Sequence, residues 1–394
     1  MIITVVCDVL GKENNGTTIA AMNLIRYLKS RGHEVRVVCP DEDKKDEPGY
    51  FVVPHLKLLP PLEDYVKKVG VTIALSDEKV LMAAIEDADE VHIMTPFILG
   101  VAGLHVAKKC GKKVTAGFHS QAENLTSHLR LMNLKLANDL TYKTMYDIFY
   151  KYVDAIHYPT QFIRDVFEQE TGCEVRAYVI SNGVNERFVR RDVEKPDDLK
   201  DKFVILSSGR FAPEKSQGTI IDAIKQSLWE NKIQLILAGA GPMEEELREK
   251  GKALANPPIM KFFTREEILD VINYSDLYVH AAVVDLEAIA CLEAISCGLV
   301  PVIADSPRCA TKGFAIGEHN LFRFGDPKSL REQIDYWIDH PEEKRACADQ
   351  YVNYTRQFEQ SRCMAQMEAM IREVAGMDDN CALEAAAADA ACPE

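Results

Sequence analysis

Short runs of β-branched and aliphatic residues alternate along the chain with longer stretches whose apolar positions recur at helical spacing. Ile2–Val6 is a continuous apolar run, Gly11–Thr18 is polar and contains two glycines, and Ile19–Ser30 is amphipathic. Arg31-Gly32-His33 stops that helix, and Glu34–Cys39 predicts the next strand. The result is one βαβ unit. Further strands are predicted at Glu90–Met94, Lys113–Phe118, Ala155–Tyr158 and Arg176–Ile180, with a helix at Gly100–Lys109. A second series starts at Phe203–Ser207. It continues through strands Ile233–Ala238, Ile259–Phe262, Leu277–His280 and Val300–Ile303. Between them lie helices at Thr219–Leu228, Met243–Ala255, Glu266–Asn273 and Ala288–Ser296. Strands that are apolar throughout, separated by helices of ten or so residues, fit parallel sheets covered on both faces. The predicted class is α/β.

The two series divide the chain. Residues 1–180 form one Rossmann-like domain and 181–354 another, with the polar stretch Asn182–Lys202, containing Pro196, as the joint. Helix-like sequence runs from Ser329 to Ala375, and its last part, 355–376, is expected to return to the first domain. Residues 377–394 hold seven alanines and five acids without Lys or Arg, which marks a low-complexity tail. Two doubly wound domains facing a cleft would place their ligand at the carboxyl ends of the strands.

Composition narrows the function. With 46 basic and 61 acidic side chains the 394-residue chain carries a net charge of −15, which excludes a general nucleic-acid binder. The charge is uneven: residues 1–180 hold 21 basic and 24 acidic groups, so twelve of the fifteen negative units lie beyond them. Eleven cysteines show no CxxC pair, and several fall in apolar strands, so neither a zinc ribbon nor a disulfide framework is indicated. The first residues read as a strand and not as a signal peptide, and no run approaches 18 apolar residues. The expected setting is cytoplasmic, with room for peripheral attachment to the inner face of the cell membrane.

Five places carry candidate chemistry. Ser207-Ser208-Gly209-Arg210-Phe211-Ala212-Pro213-Glu214-Lys215 follows a strand, and Arg210 and Lys215 offer a fork and a point charge to phosphate oxygens. A solvated loop would have the same spacing. Gly239 and Gly241 end the next strand, where they permit close approach of a nucleotide or merely a tight turn. From Asp285 to Gly298 three carboxylates, Asp285, Glu287 and Glu293, accompany the start of an apolar helix at Ala288 and Ile289. The helix dipole accounts for the first two, but Glu293 amid apolar neighbours needs a partner or a ligand. In the first half, His119 follows a strand and Gly16 opens the first helix.

In their order these pieces, with Ser181-Asn182-Gly183-Val184 entering the second domain, resemble the retaining GT-B glycosyltransferases of the family 4 group over residues 1–375. The combination Phe118-His119-Ser120-Gln121-Ala122-Glu123-Asn124 with Leu286 to Glu293 is similar, more narrowly, to bacterial enzymes that glucosylate diacylglycerol. The resemblance implies that Arg210 and Lys215 hold the donor's diphosphate and that Glu293 binds the ribose hydroxyls. Gly16, Gly209, Gly239, Gly241, Ala288 and Ile289 would border the donor, with His119 orienting donor or acceptor. The family's Glu-Gly-Phe-Gly opening is here Asp285-Leu286-Glu287-Ala288. Either Asp285 fills the first acidic position with shorter reach or Glu287 substitutes for it; register with Glu293 favours Asp285.

The implied reaction moves a hexose, UDP-glucose being the expected donor, to a hydroxyl acceptor such as diacylglycerol. No metal or other cofactor is expected, since Arg and Lys would carry the diphosphate charge. Asp87-Ala88-Asp89 matches a metal motif by letter but sits better as a cap before a strand. For the acceptor, or for an anionic membrane surface, the candidates are Leu58, Leu59, Lys67, Lys68, Lys108, Lys109, Lys112 and Lys113, with the apolar, Tyr-rich stretch Leu129–Tyr152. A soluble glycosyltransferase, a nucleotide-sugar epimerase and a non-catalytic sugar-nucleotide binder are the rival readings. Neither first βα turn reads GxGxxG, which argues against a dehydrogenase.

Overall fold

The computed structural model describes residues 1–10, 16–56, 74–127 and 131–377. The chain forms two compact units. The first comprises Met1–Ala122, Leu134–Asn182 and the segment from Ser361 onward; the second comprises Glu123–Asn133 and Gly183–Gln360.

The first unit is built on seven parallel strands: β1 (Ile2–Val6), β2 (Glu34–Cys39), β3 (Tyr50–Val52), β4 (Glu90–Ile93), β5 (Lys113–Gly117), β6 (Ala155–Tyr158) and β7 (Ala177–Val179), in the order β3-β2-β1-β4-β5-β6-β7. β1 is apolar throughout because it is central: Val5 pairs with Val37 on one side and His92 on the other, and Ile3, Val5 and Val6 are fully buried. Helix Gly16–Ser30 lays Ala21, Leu24, Ile25 and Leu28 on this core. The last helix, Gln360–Val374, adds Met364, Met367 and Ile371 to the same cluster. Each such side chain contributes about 1.5–3 kcal/mol of transfer free energy. Glu368 on that helix is bonded to Arg31 Nε at 3.1 Å and His33 Nε2 at 2.9 Å, which fixes its register.

The second unit repeats the winding with six parallel strands. They are β8 (Phe203–Ser208), β9 (Ile233–Ala238), β10 (Ile259–Lys261), β11 (Leu277–His280), β13 (Pro301–Ala304) and β15 (Leu321–Phe322), in the order β10-β9-β8-β11-β13-β15. A two-stranded pair, β12 (Val284–Asp285) with β14 (Arg308–Cys309), stands beside the sheet. In each unit the strand order reverses beside the first strand, at β1/β4 and at β8/β11. Doubly wound sheets bind ligands at the carboxyl edge of such a point.

The elements differ from expectation mainly where they are short. β3, β12, β14 and β15 are two or three residues long, too few for a periodic signal. The stretch from Ser329 to Ala375 is three helices, Pro327–Asp339, Pro341–Tyr354 and Gln360–Val374. Pro341 has no N–H to donate and therefore starts a helix instead of continuing one. Of the expected tail, 378–394 lies outside the described residues.

Candidate functional site

At the carboxyl edge of β8 and β11 the second unit assembles most of the residues singled out from sequence. The loops after β8 and β9 stay zipped beyond the strands: Gly209 N–H donates to Ala238 O at 2.9 Å and Phe211 N–H to Ala240 O at 2.9 Å. This contact explains two glycines. A Cβ on Gly239 would lie 2.0 Å from Gly209 O, and one on Gly241 would lie 2.4 Å from Phe211 O. Gly209, at φ +143°, has nothing within 4 Å of the missing Cβ and faces open space. Of the three, only Gly209 has open space where its Cβ would be.

Arg210 follows immediately. Its Nη2 is 2.6 Å from Glu214 Oε1, and its carbonyl accepts from Gln217 Nε2 at 2.9 Å. The short turn Pro213–Lys215 brings the Lys215 ammonium onto Asp285 Oδ2. Val283 N–H donates to Glu214 O at 2.8 Å, so the turn and β12 are tied by backbone as well. Asp285 Oδ1 accepts the Ala288 N–H at 3.0 Å, and Ala288 takes the left-handed conformation at φ 57° before helix Ile289–Ser296 begins. Burial by itself would raise the Asp285 carboxyl; Lys215 and His280 outweigh it and hold the group well below the usual carboxylate range. Burial pulls the Lys215 ammonium down, and Asp285 more than offsets this, so the lysine stays charged.

Glu293 lies on the buried face of that helix and meets the Arg265 guanidinium at the start of helix Arg265–Tyr274. Burial pushes its carboxyl upward, against Arg265 and Arg187. Arg265 also sits over the Phe188 ring, 6.0 Å from its centre. Glu287 is buried and bonded.

His280 and Arg265 are the site residues that sequence reasoning passed over. His280 ends β11 and places Nε2 3.4 Å from both Asp285 Oδ2 and Thr311 Oγ1. A histidine at a strand end was the available signal, the one used for His119.

His119 belongs to the first unit, at the end of β5. Its ring folds back over Gly117, where a Cβ would be 2.4 Å from His119 Nε2, and packs edge-on against His157 with 5.6 Å between centres. Burial and the neighbouring His157 and His92 hold it neutral, far below the ordinary imidazole value. Gly16 opens its helix with nothing within 4 Å of a Cβ. Of the expected acceptor or membrane residues, Leu58, Leu59, Lys67 and Lys68 lie outside the described residues. Lys108 and Lys113 both bind Asp154, at 2.7 and 2.9 Å, and Lys109 binds Glu78 at 2.8 Å. Lys112 follows on the loop before β5. Within the expected apolar stretch Leu129–Tyr152, exposed apolar side chains gather on helix Lys135–Ile148, where Leu136 is 74% and Leu140 64% exposed. No helix among the described residues is long and apolar enough to cross a membrane, and no group of three or more His, Cys, Asp or Glu among them is arranged to hold a metal ion. Asp87 pairs with Arg36, and Asp89 accepts the Ile2 N–H at 2.7 Å.

Known proteins resemble the chain along most of its length. Residues 14–188 match Glycosyltransferase Family 4 and residues 189–353 match Glycosyl transferases group 1. The chain is 24% identical over 359 residues to alpha-monoglucosyldiacylglycerol synthase of Acholeplasma laidlawii, covering 83% of this chain and 86% of that protein. It is 24% identical over 233 residues to the protein of the same name from Streptococcus pneumoniae, covering 55% of this chain but only about half, 51%, of that one. In structure it is similar to Anabaena Alr3699/HepE in complex with UDP and glucose, with a TM-score of 0.74 at 15% identity over 95% of this chain and all of the other. At that identity the likeness speaks for the fold alone. Matched from residue 14 to residue 353, and carrying two sheets of the same doubly wound order, the chain belongs to the family 4 glycosyltransferases, has the GT-B fold and is a hexosyltransferase.

Proposed function

We propose that the protein transfers glucose, with retention at the anomeric carbon, from UDP-glucose to the hydroxyl of a membrane lipid such as diacylglycerol. The observation that carries the donor half is the pair of cations, Arg210 and Lys215, at the carboxyl edge of β8 where the strand order reverses. In the reaction the bond from C1 to the diphosphate breaks and the bond from C1 to the acceptor oxygen forms, with the acceptor's proton released. Negative charge grows on the departing diphosphate while the sugar becomes oxocarbenium-like. Preorganised cations stabilise that growing charge, each worth about 3–4 kcal/mol by analogy with oxyanion donors. Ile289 and Ala290 open the nearby helix and add its positive end to the same region. Glu293, held by the Arg265 guanidinium, suits the two ribose hydroxyls of a nucleotide. His119, neutral, can donate or accept a hydrogen bond without adding charge.

For the acceptor half, two of the relatives are named alpha-monoglucosyldiacylglycerol synthase, while others are named GDP-mannose-dependent alpha-mannosyltransferase. The exposed Leu136 and Leu140 on helix Lys135–Ile148 offer an apolar face with Lys143 beside it, Lys135 being paired with Asp139 and Glu170 at 2.9 and 3.2 Å. The deciding assay incubates purified protein with UDP- and GDP-sugars, diacylglycerol vesicles and a panel of water-soluble sugar acceptors and identifies the product by mass spectrometry. Glucosyldiacylglycerol from UDP-glucose is the expected product. A glycosylated water-soluble acceptor, or hexose transfer only from another sugar nucleotide, overturns the assignment. In the same assay Arg210→Ala should lower kcat/KM at least 100-fold.

A further inference from the structure

We infer that His157, with His92 beside it, is a positioning residue for His119; this rests on the reading above that His119 meets donor or acceptor. One face of β4, β5 and β6 is polar although it lies inside the first unit. It carries Glu90 and His92 on β4, Thr115 and Gly117 on β5 and His157 on β6, and the register sets His92 beside Thr115 and Gly117 beside His157. Glu90, His92, Thr115 and His157 are at most 1% exposed, whereas the opposite face at Val91, Val114 and Ile156 is aliphatic. Packing alone does not call for such groups, since each buried polar atom left without a bond costs about 1–3 kcal/mol. They form a chain. Thr115 N–H donates to Glu90 Oε1 at 2.9 Å, the Thr115 hydroxyl donates to the same oxygen, and His92 Nδ1 lies 2.8 Å from Thr115 Oγ1. His157 donates from Nε2 to Ile180 O at 2.6 Å, so its Nδ1 holds a lone pair. That atom and His119 Nε2 are both buried, with no hydrogen-bond partner among the described residues. The two rings meet edge-on beside Gly117, whose missing Cβ makes the room. His157 thus seats the His119 ring, and its lone pair draws the His119 proton to Nε2. Nδ1 is then left to accept a hydrogen bond from a ligand hydroxyl at the carboxyl edge of β5.

His157→Leu and His157→Gln separate the roles, because Gln keeps a donor for Ile180 O and an acceptor oxygen beside it, and Leu keeps neither. Sugar transfer from UDP-glucose is measured together with UDP affinity and thermal unfolding. His157→Leu should lower kcat/KM about tenfold through a misplaced His119, yet leave affinity for UDP, which lacks the sugar, within about twofold of wild type. His157→Gln should recover to within about threefold of wild type. In a His119→Ala background His157→Leu should change kcat/KM by no more than about twofold, the mark of a residue that acts through another. Undiminished kcat/KM in a folded His157→Leu, or an equal loss in the absence of His119, overturns the inference. Long-range proton–nitrogen spectra of protein carrying nitrogen-labelled histidine read the rings without any turnover. They should show His119 protonated on Nε2 in the wild type and shifted toward Nδ1 in His157→Leu; a wild-type His119 with its proton on Nδ1 overturns the inference. A wild-type protein that transfers sugar from neither UDP- nor GDP-sugars overturns the functional reading, and the spectra still decide how His157 sets His119. The wild-type and His157→Gln measurements decide the matter should His157→Leu fail to fold.

Discussion

Single residues show most clearly which sequence signals concern ligands and which concern packing. Gly16 begins a helix with open space where its Cβ would be, so Gly16→Ala should leave the thermal midpoint unchanged or raise it. A fall in turnover in that stable variant would place a substrate at this helix start, and undiminished turnover would remove Gly16 from the donor site. Arg265 is a different case, because its partner Glu293 is buried. The folded carboxyl lies above its unfolded value of about 4.3. Such a group contributes stability that is fully present below the unfolded value and is lost as pH rises through the folded one, and Arg265 limits the loss. Arg265→Ala should therefore cost about 1–2 kcal/mol at pH 8, the buried-pair penalty reduced for a guanidinium that is one-third exposed. The deficit should shrink as the pH is lowered to 5, because a raised carboxyl is more readily protonated there. Unfolding curves at the two pH values check this; an equal deficit at both would make packing over Phe188 the reason for Arg265.

At the scale of elements, the strained turn before helix Ile289–Ser296 stands where the related motif has glycine. Ala288 occupies the left-handed region, which costs an L-residue roughly 1 kcal/mol or more. Ala288→Gly should relieve that strain and, after the entropy glycine adds to the unfolded chain, raise stability by up to about 1 kcal/mol. Gly241→Ala should do the opposite. Its Cβ would meet Phe211 backbone atoms at 2.4 and 2.7 Å, the loops after β8 and β9 would part, and stability should fall by about 2 kcal/mol. Urea unfolding midpoints measure both. These loops also show where the sequence stops being legible. The central strands were readable because burial on both faces makes them apolar at every position, as in Val204-Ile205-Leu206 and Leu235-Ile236-Leu237. The GxG at Gly239 could not be assigned from its letters, because a ligand and a neighbouring loop both exclude a Cβ there. His280 was hidden for a related reason: a histidine ending an apolar strand looks the same whether it packs inertly or backs a carboxylate such as Asp285.

For the whole molecule, the proposed lipid acceptor raises the question of which surface an acidic protein would turn toward a bilayer. Apolar side chains flanked by lysines were the expectation from sequence; of the lysines, Lys108 and Lys113 converge on Asp154 and Lys109 on Glu78, so much of that charge is answered within the first unit. The exposed apolar side chains have no such internal partner in charge. Leu136 and Leu140, four residues apart on helix Lys135–Ile148, lie on one side, and the half-exposed Leu134 precedes them. If this helix meets the bilayer surface, area and not charge supplies most of the attraction, and attachment should survive salt. Replacing both Leu136 and Leu140 by Ser should therefore lower partitioning onto vesicles of anionic lipid and diacylglycerol by about tenfold or more, taking about 0.7 kcal/mol or more for each leucine partly withdrawn from water. Raising salt from about 0.1 to 0.5 M, which shortens the screening length to a few ångströms, should leave most wild-type binding in place. Because both leucines are exposed, the double variant should keep the wild-type unfolding midpoint and its affinity for UDP. Co-sedimentation with vesicles at the two salt concentrations decides the matter: binding that vanishes in salt and ignores the leucines would return the surface to the lysines and remove this helix from the acceptor side of the reaction.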